Sequence, residues 1–359
     1  MRTTKLIISS VLWLHRHTSA ESRHNSVPRP SLGEGTLDPS FQLYQNTAER
    51  PGLIMASRRS VSERISTQTL VTNGIKTETY GSATFPSGLS YGLDLRTSLV
   101  SPIGVFRLLL RGRTFVFFET DNHPSFMDIQ TLSTGNLIFT VSGELSISPS
   151  MYNPRLPKYP AEVQTRFASF RTSSFVWESI LKVPGAPHVT ASLKNNGVVV
   201  SKSTRRPCPV PDWFREKFGR LYNKDPGVTF RKVETTPIKM CRGVNSNPYM
   251  VTVKSRDIDS NQHTNTGLYL QYCLDALGDH LFRNKIQCEL NTESLLLKSA
   301  TFLHGGESEM ADVLAVEFWD DETDADMICF NIVKSGISIY QARICFYRYD
   351  DIFEQTCRL

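Results

Sequence analysis

Three things are scarce in this 359-residue sequence, namely long apolar runs, paired cysteines and net charge, and each scarcity closes off a class of function. The apolar piece near the N-terminus, Leu6–Leu14, is far short of the about 20 residues a membrane-spanning helix needs, so stable membrane insertion is not expected. Seven cysteines, an odd number with no C-x-x-C pair, argue against a disulfide framework and a zinc site and for reduced thiols in an intracellular compartment. Cys273 and Cys345 fall on apolar faces and read as core. The net charge is +5, but residues 1–62, with eight basic and four acidic side chains, account for +4 of it. The remaining body is nearly neutral, and with no RNA-binding signature it has no electrostatic footprint for nucleic acid.

What is present is a strand-to-helix loop rich in polar groups. Met250–Val253 alternates as a strand does, and Leu268, Tyr269, Tyr272, Leu274 and Leu277 recur at helical spacing. Between them, Asp259, Asn261 and His263 sit two apart. That spacing brings a carboxylate, an amide and an imidazole to one side, beside the N–H groups of a helix start. A carbonyl oxygen gaining negative charge could be held there while His263 or a carboxylate steers a water. The plainer reading of the same residues is a polar loop in which Asp259 or Asn261 caps the helix and His263 is a surface group.

The run Arg256-Asp257-Ile258-Asp259-Ser260-Asn261-Gln262-His263-Thr264-Asn265, followed by Tyr269, resembles the signature loop and helix of acyl-ACP thioesterases. Downstream, Glu307-Ser308-Glu309-Met310-Ala311-Asp312-Val313-Leu314 is similar, without a gap, to that family's Glu-Cys-Gly-Arg-Asp-Ser-Val-Leu segment. The resemblance implies an α+β, tandem (double) hot-dog fold, each antiparallel sheet wrapped around a long central helix. It implies hydrolysis of fatty acyl thioesters carried by acyl carrier protein or coenzyme A. Asp259, Asn261, His263 and Glu307 inherit the catalytic roles, and Asn265, Tyr269 and Ser308 adjoin the substrate. Ser308 stands where the family has Cys, and Thr266 where it has the second Asn of an Asn-Asn pair. Neither change removes a group that water activation needs, though the first weakens a cysteine nucleophile. No metal or organic cofactor is implied. A hot-dog hydratase or dehydratase is the rival enzyme, and a lipid-binding protein without turnover is the rival from another class.

Length allows two domains of ordinary size, and the first half repeats the order of elements without the chemistry. Tyr91–Leu95 reads as a strand, residues 103–118 as an apolar central helix, and Arg96–Pro102 between them carries no Asn or His. Phe106, Leu109 and Phe115 of that helix are expected to line an acyl-chain tunnel. Strands follow at 136–147, 161–170, 174–183 and 198–202, and Thr204-Arg205-Arg206-Pro207-Cys208-Pro209-Val210-Pro211 closes the domain. The second half is expected to hold a helix at 265–282 and strands near 311–319, 326–334 and 337–348. The division is thus a leader (1–62), an N-terminal hot-dog domain (63–206), a linker with a short helix (207–246) and a C-terminal hot-dog domain (247–359). A tandem pair can satisfy its own sheet pairing, or two chains can pair again as a homodimer.

Three segments remain. Asp212–Leu221 reads as a short amphipathic helix, and residues 202–224 hold seven basic and two acidic groups. That stretch is a solvated linker face, or a dock for an acidic carrier protein or a coenzyme A phosphate. Asp320, Asp321, Glu322, Asp324 and Asp326 read as a solvated loop, with a calcium site as the alternative. The leader is polar, arginine-containing and poor in acids, which suits a mitochondrial transit peptide, and Met55 is a reasonable alternative start. The terminal Cys357-Arg358-Leu359 resembles a relaxed peroxisomal address, so peroxisome and cytoplasm are the alternative locations.

Overall fold

The computed structural model describes residues 73–76, 80–90, 92–93, 99–117, 126–222, 248–259, 263–283, 296–321, 324, 326–347 and 352. The leader, most of the linker, Asn261, Phe118, Glu322 and the C-terminal tripeptide lie outside them, as do Tyr91, Asp94 and Leu95. All described residues belong to one unit covering residues 70–359.

Eleven antiparallel strands make a single sheet among the described residues. They are β1 (Asn73–Lys76), β2 (Gly81–Phe85), β3 (Asn136–Ile147), β4 (Ala161–Phe170), β5 (Ser174–Lys182), β6 (Ala191–Ser201), β7 (Tyr249–Thr252), β8 (Leu297–His304), β9 (Val313–Asp320), β10 (Met327–Lys334) and β11 (Ile337–Phe346). Their order is β1-β2-β4-β5-β6-β3-β8-β11-β10-β9-β7. Read outward from the β3–β8 junction, the two arms follow one rule. The strand after the central helix comes first, then the last, third and second of the strands that follow it, then the strand before the helix, and β1 adds a sixth strand at the outer edge of the first arm. Each arm carries that helix on one face: α1 (Pro102–Phe117) in the first, α4 (Thr266–Arg283) in the second. Two short helices, α2 (Ile129–Leu132) and α3 (Asp212–Tyr222), complete the described set.

The central helices form where the sequence is apolar nearly all round, which suits a helix enclosed by a sheet. Ten of the sixteen residues of α1 are buried, among them Val105, Phe106, Leu109 and Val116, and α1 packs on β2, β4, β5 and β6. In α4 the buried side includes Tyr269, Leu270, Cys273, Ala276 and Leu277. The helices meet: the Arg107 guanidinium donates to Gln271 Oε1 at 2.9 Å, and the Phe106 ring lies against Gly267. Helix α3 is more than a solvated linker face. Phe214 and Phe218 are buried in a cluster with Phe167, Phe170 and Phe175, while Trp213, Glu216 and Lys217 face solvent.

Three strands differ from what the sequence pattern suggests. The strand ahead of α1 is Gly81–Phe85, and Leu93 makes only an isolated bridge with Val100. Strand β6 begins at Ala191, not near 198, because Lys194-Asn195-Asn196-Gly197 has little strand propensity of its own and is held by β3 and β5 on either side. Strand β8 was not anticipated, yet it carries the junction, pairing Ser142–Ser146 of β3 with Ser299–Leu303.

Candidate active site

The polar loop leaves β7 through a single 3-10 turn, Ser255–Asp257, and closes on itself before α4. Ile258 bridges Thr264, the Asp259 N–H donates to His263 O at 2.9 Å, and the His263 N–H reaches Asp259 Oδ1 at 3.4 Å. Asp257 anchors the turn, accepting from the Lys254 N–H at 2.8 Å and from Tyr272 Oη at 3.0 Å. Burial, and then that bond to Asp257, pushes the Tyr272 phenol well up. The loop is therefore pinned from below by α4 and at its neck by the bridge.

Asn265 is the helix cap. Its Oδ1 accepts from the Gly267 N–H at 3.0 Å, and its carbonyl accepts from the Leu268 N–H at 2.8 Å. Two first-turn donors are thereby used within the helix. The expected role of the helix start in holding a carbonyl narrows to its local field.

Glu307 arrives from the segment after β8. The Gly305 and Gly306 N–H groups both donate to Ile339 O, at 2.8 and 3.1 Å, and carry the chain across to the loop. There His263 Nε2 and Glu307 Oε2 stand 3.3 Å apart, their side chains 32% and 44% exposed. A base and a carboxylate thus meet within reach of solvent water. Behind them lies a closed hydroxyl knot. Ser308, fully buried, joins Thr264 Oγ1 at 2.7 Å and Tyr269 Oη at 2.9 Å through its Oγ, while its N–H donates to the same Tyr269 oxygen at 3.0 Å. The Thr264 N–H and hydroxyl both reach Ser308 O. Burial raises the Tyr269 phenol, and Ser308 holds part of that rise back. Ser308 and Tyr269, expected beside the substrate, thus lock the Glu307 segment to the helix.

Asp259, His263, Glu307, Asn265, Tyr269 and Ser308 all gather here, and Phe106 joins them through Gly267. Leu109 is fully buried one helical turn further along α1. Sequence reasoning missed Arg113. It lies on α1 of the first half, its Cζ 5.4 Å from the Phe117 ring centre. Burial pulls this guanidinium down to about 10, and the Asp259 carboxylate offsets part of the fall. In sequence it is one of three arginines in an otherwise apolar helix, and nothing there sets it apart from Arg107 and Arg111. Among the described residues, no cluster of His, Cys, Asp and Glu could hold a metal ion.

One sheet with two enclosed helices and a central β3–β8 seam defines a double hot-dog protein. The sequence matches no known family model and no curated protein. Among solved structures, the 12:0-ACP thioesterase from Umbellularia californica is similar, with a TM-score of 0.55 and 15% identity over 77% of this chain and 99% of that one. An acyl-ACP thioesterase from Bacteroides thetaiotaomicron aligns with a TM-score of 0.51 and 14% identity, over 75% and 98%. At such identities the likeness establishes the fold and leaves the chemistry to be argued from residues.

Proposed function

We propose that this protein hydrolyses fatty acyl thioesters at the loop between β7 and α4. The observation that carries this reading is the 3.3 Å approach of His263 Nε2 to Glu307 Oε2 at the mouth of a loop pinned by Asp257 and Asp259. With Nε2–H given to the carboxylate, the lone pair on Nδ1 is free to take a proton from water. The hydroxide attacks the thioester carbon, and the oxyanion is met by Asn261 and the helix start. Collapse expels the thiolate, which recovers the proton from the imidazolium. Glu307 steadies that cation, and Asp259 orients the loop. A preorganised donor to the oxyanion is worth about 3 kcal/mol, and the base two to four powers of ten in rate.

The carrier proposed is acyl carrier protein, as the solved acyl-ACP thioesterases suggest, with coenzyme A as the alternative. The test is release of free thiol from acyl-ACP and acyl-CoA panels by the protein and by its His263→Ala and Glu307→Ala variants. Turnover that falls roughly a thousandfold in both places the reaction here. Turnover unchanged in either variant removes that residue from the mechanism.

A further inference from the structure

Strand register sets an unpartnered amide side chain into the surface that faces α1. Across the sheet, Trp177 pairs with Asn195, Asn195 with Gly143, and Gly143 with Phe302, so these four positions share a face. It is the helix face, because Phe302 meets Phe106 of α1 at 6.1 Å and Trp177 meets Phe117 of α1 at 5.5 Å. Two glycines shape this row. A Cβ at Gly143 would come within 2.2 Å of Phe302 Cζ, and one at Gly197 within 2.4 Å of the Trp177 ring. The rings therefore lie down over bare backbone on either side of Asn195.

Asn195 is 1% exposed, and neither its Nδ2 nor its Oδ1 has a hydrogen-bond partner among the described residues. The same holds for the indole Nε1–H of Trp177, its neighbour across the strand pair. A fourth such atom lies on the way from the active site: Nε2 of His304, two residues beyond Phe302 on β8, in ring contact with Tyr269, Phe302 and Tyr340. Buried polar groups in folded proteins nearly always have partners, and several orphans on one aromatic wall point to an absent ligand. An unsubstituted hydrocarbon chain would leave all of them unsatisfied.

We infer that Asn195 and Trp177 form a polar subsite for the distal part of an oxygenated acyl chain, a hydroxy or oxo fatty acyl group lying between α1 and the sheet. The subsite rests on the proposed thioester hydrolysis for its route, which runs from Tyr269 past His304 and Phe302. From Phe302 to Asn195 is two strand spacings, roughly 10 Å, so the oxygen sits well away from the thioester. The indole N–H and the amide N–H donate to that oxygen, and Asn195 Oδ1 accepts from a hydroxyl.

The test compares dodecanoyl and 12-hydroxydodecanoyl thioesters as substrates, and the two free acids as ligands by calorimetry, for the protein and its Asn195→Leu variant. The expected result is at least a tenfold preference for the hydroxylated chain in both kcat/KM and affinity. Asn195→Leu abolishes that preference while keeping turnover of the dodecanoyl thioester, which also shows that the variant folds. Equal affinity for the two acids, or a variant that loses both alike, overturns the inference and leaves ordered water as the partner of these groups. Hydrolysis without preference leaves the proposed function standing and removes the subsite. Preferential binding without hydrolysis does the reverse.

Discussion

The two halves share a frame and differ in what hangs on it. Each closes the connection from its first strand to its central helix with an isolated bridge, Leu93 to Val100 in one and Ile258 to Thr264 in the other. Each fastens the residue before the helix to the chain just ahead of that bridge, through the Ser101 N–H to Gly92 O at 2.7 Å and the Asn265 N–H to Asp257 O at 3.0 Å. Yet only the second loop carries carboxylate, amide and imidazole together in its sequence, and it meets Glu307 from the segment after β8. Backbone geometry is therefore kept by the demands of the fold, and the chemistry is a separable layer of side chains. The first half is not inert for that reason: it lends Arg113 to the neighbourhood of Asp259 and Phe106 to the base of α4.

The largest expected effect separates the halves outright. His263→Ala and Glu307→Ala each lower kcat for thioester release roughly a thousandfold while leaving the urea midpoint nearly unchanged, because both groups are partly exposed. Replacing Ser101 by Ala, at the corresponding place just ahead of α1, leaves turnover within a factor of two in the same assay.

The next effect is on stability against pH. Burial holds the His304 imidazole down at about 4 in the fold, against about 6.5 in the unfolded chain. Between those values the unfolded chain binds a proton that the folded one refuses, so stability rises with pH across that window, by about 3 kcal/mol from this group. Asp320, raised by burial to about 6, slopes the other way over part of the range. Subtracting the urea-denaturation profile of His304→Leu from that of the parent isolates the imidazole, and parallel profiles would refute its burial as a neutral ring.

Breaking the hydroxyl knot should cost less. Ser308→Ala strips a partner from both Thr264 and Tyr269 in a dry site, and about 2 kcal/mol of stability goes with it. Activity falls as well, since Glu307 is the preceding residue. Smallest is the electrostatic link between halves: Arg113→Gln lowers kcat about tenfold with little change in KM, by weakening the field that holds the loop at Asp259. No change in kcat would confine the first half to a packing role.

Much of this was legible in the sequence, and the failures are instructive. The central helices were found within a residue or so, 103–118 against Pro102–Phe117 and 265–282 against Thr266–Arg283, because apolar periodicity over four turns is hard to mistake. The polar loop stood out by its residue chemistry and Glu307 by the resemblance, and the structure sets His263 and Glu307 3.3 Å apart. The start of β6 was not, since Lys194-Asn195-Asn196-Gly197 reads as a turn by composition and becomes a strand only when neighbours supply the ladder. Strand β8 was lost for the same reason at the junction, where Leu297-Lys298-Ser299-Ala300 shows little alternation. Arg113 could not have been assigned, because which residue of one half faces the loop of the other is settled by how two helices cross.

The seam between β3 and β8 has a consequence for how such a chain can change over time. Two separate subunits of this kind would have to find each other at cellular concentration, and each would meet identical partners as often as complementary ones. Joined in one chain, the halves see each other at an effective concentration in the millimolar range, whatever the expression level. Pairing is then guaranteed by the peptide chain and no longer depends on equivalence of the two surfaces. The strand pair Ser142–Ser146 with Ser299–Leu303 becomes a permanent internal contact. One copy is thereby released to diverge in its side chains while the seam holds the pair together.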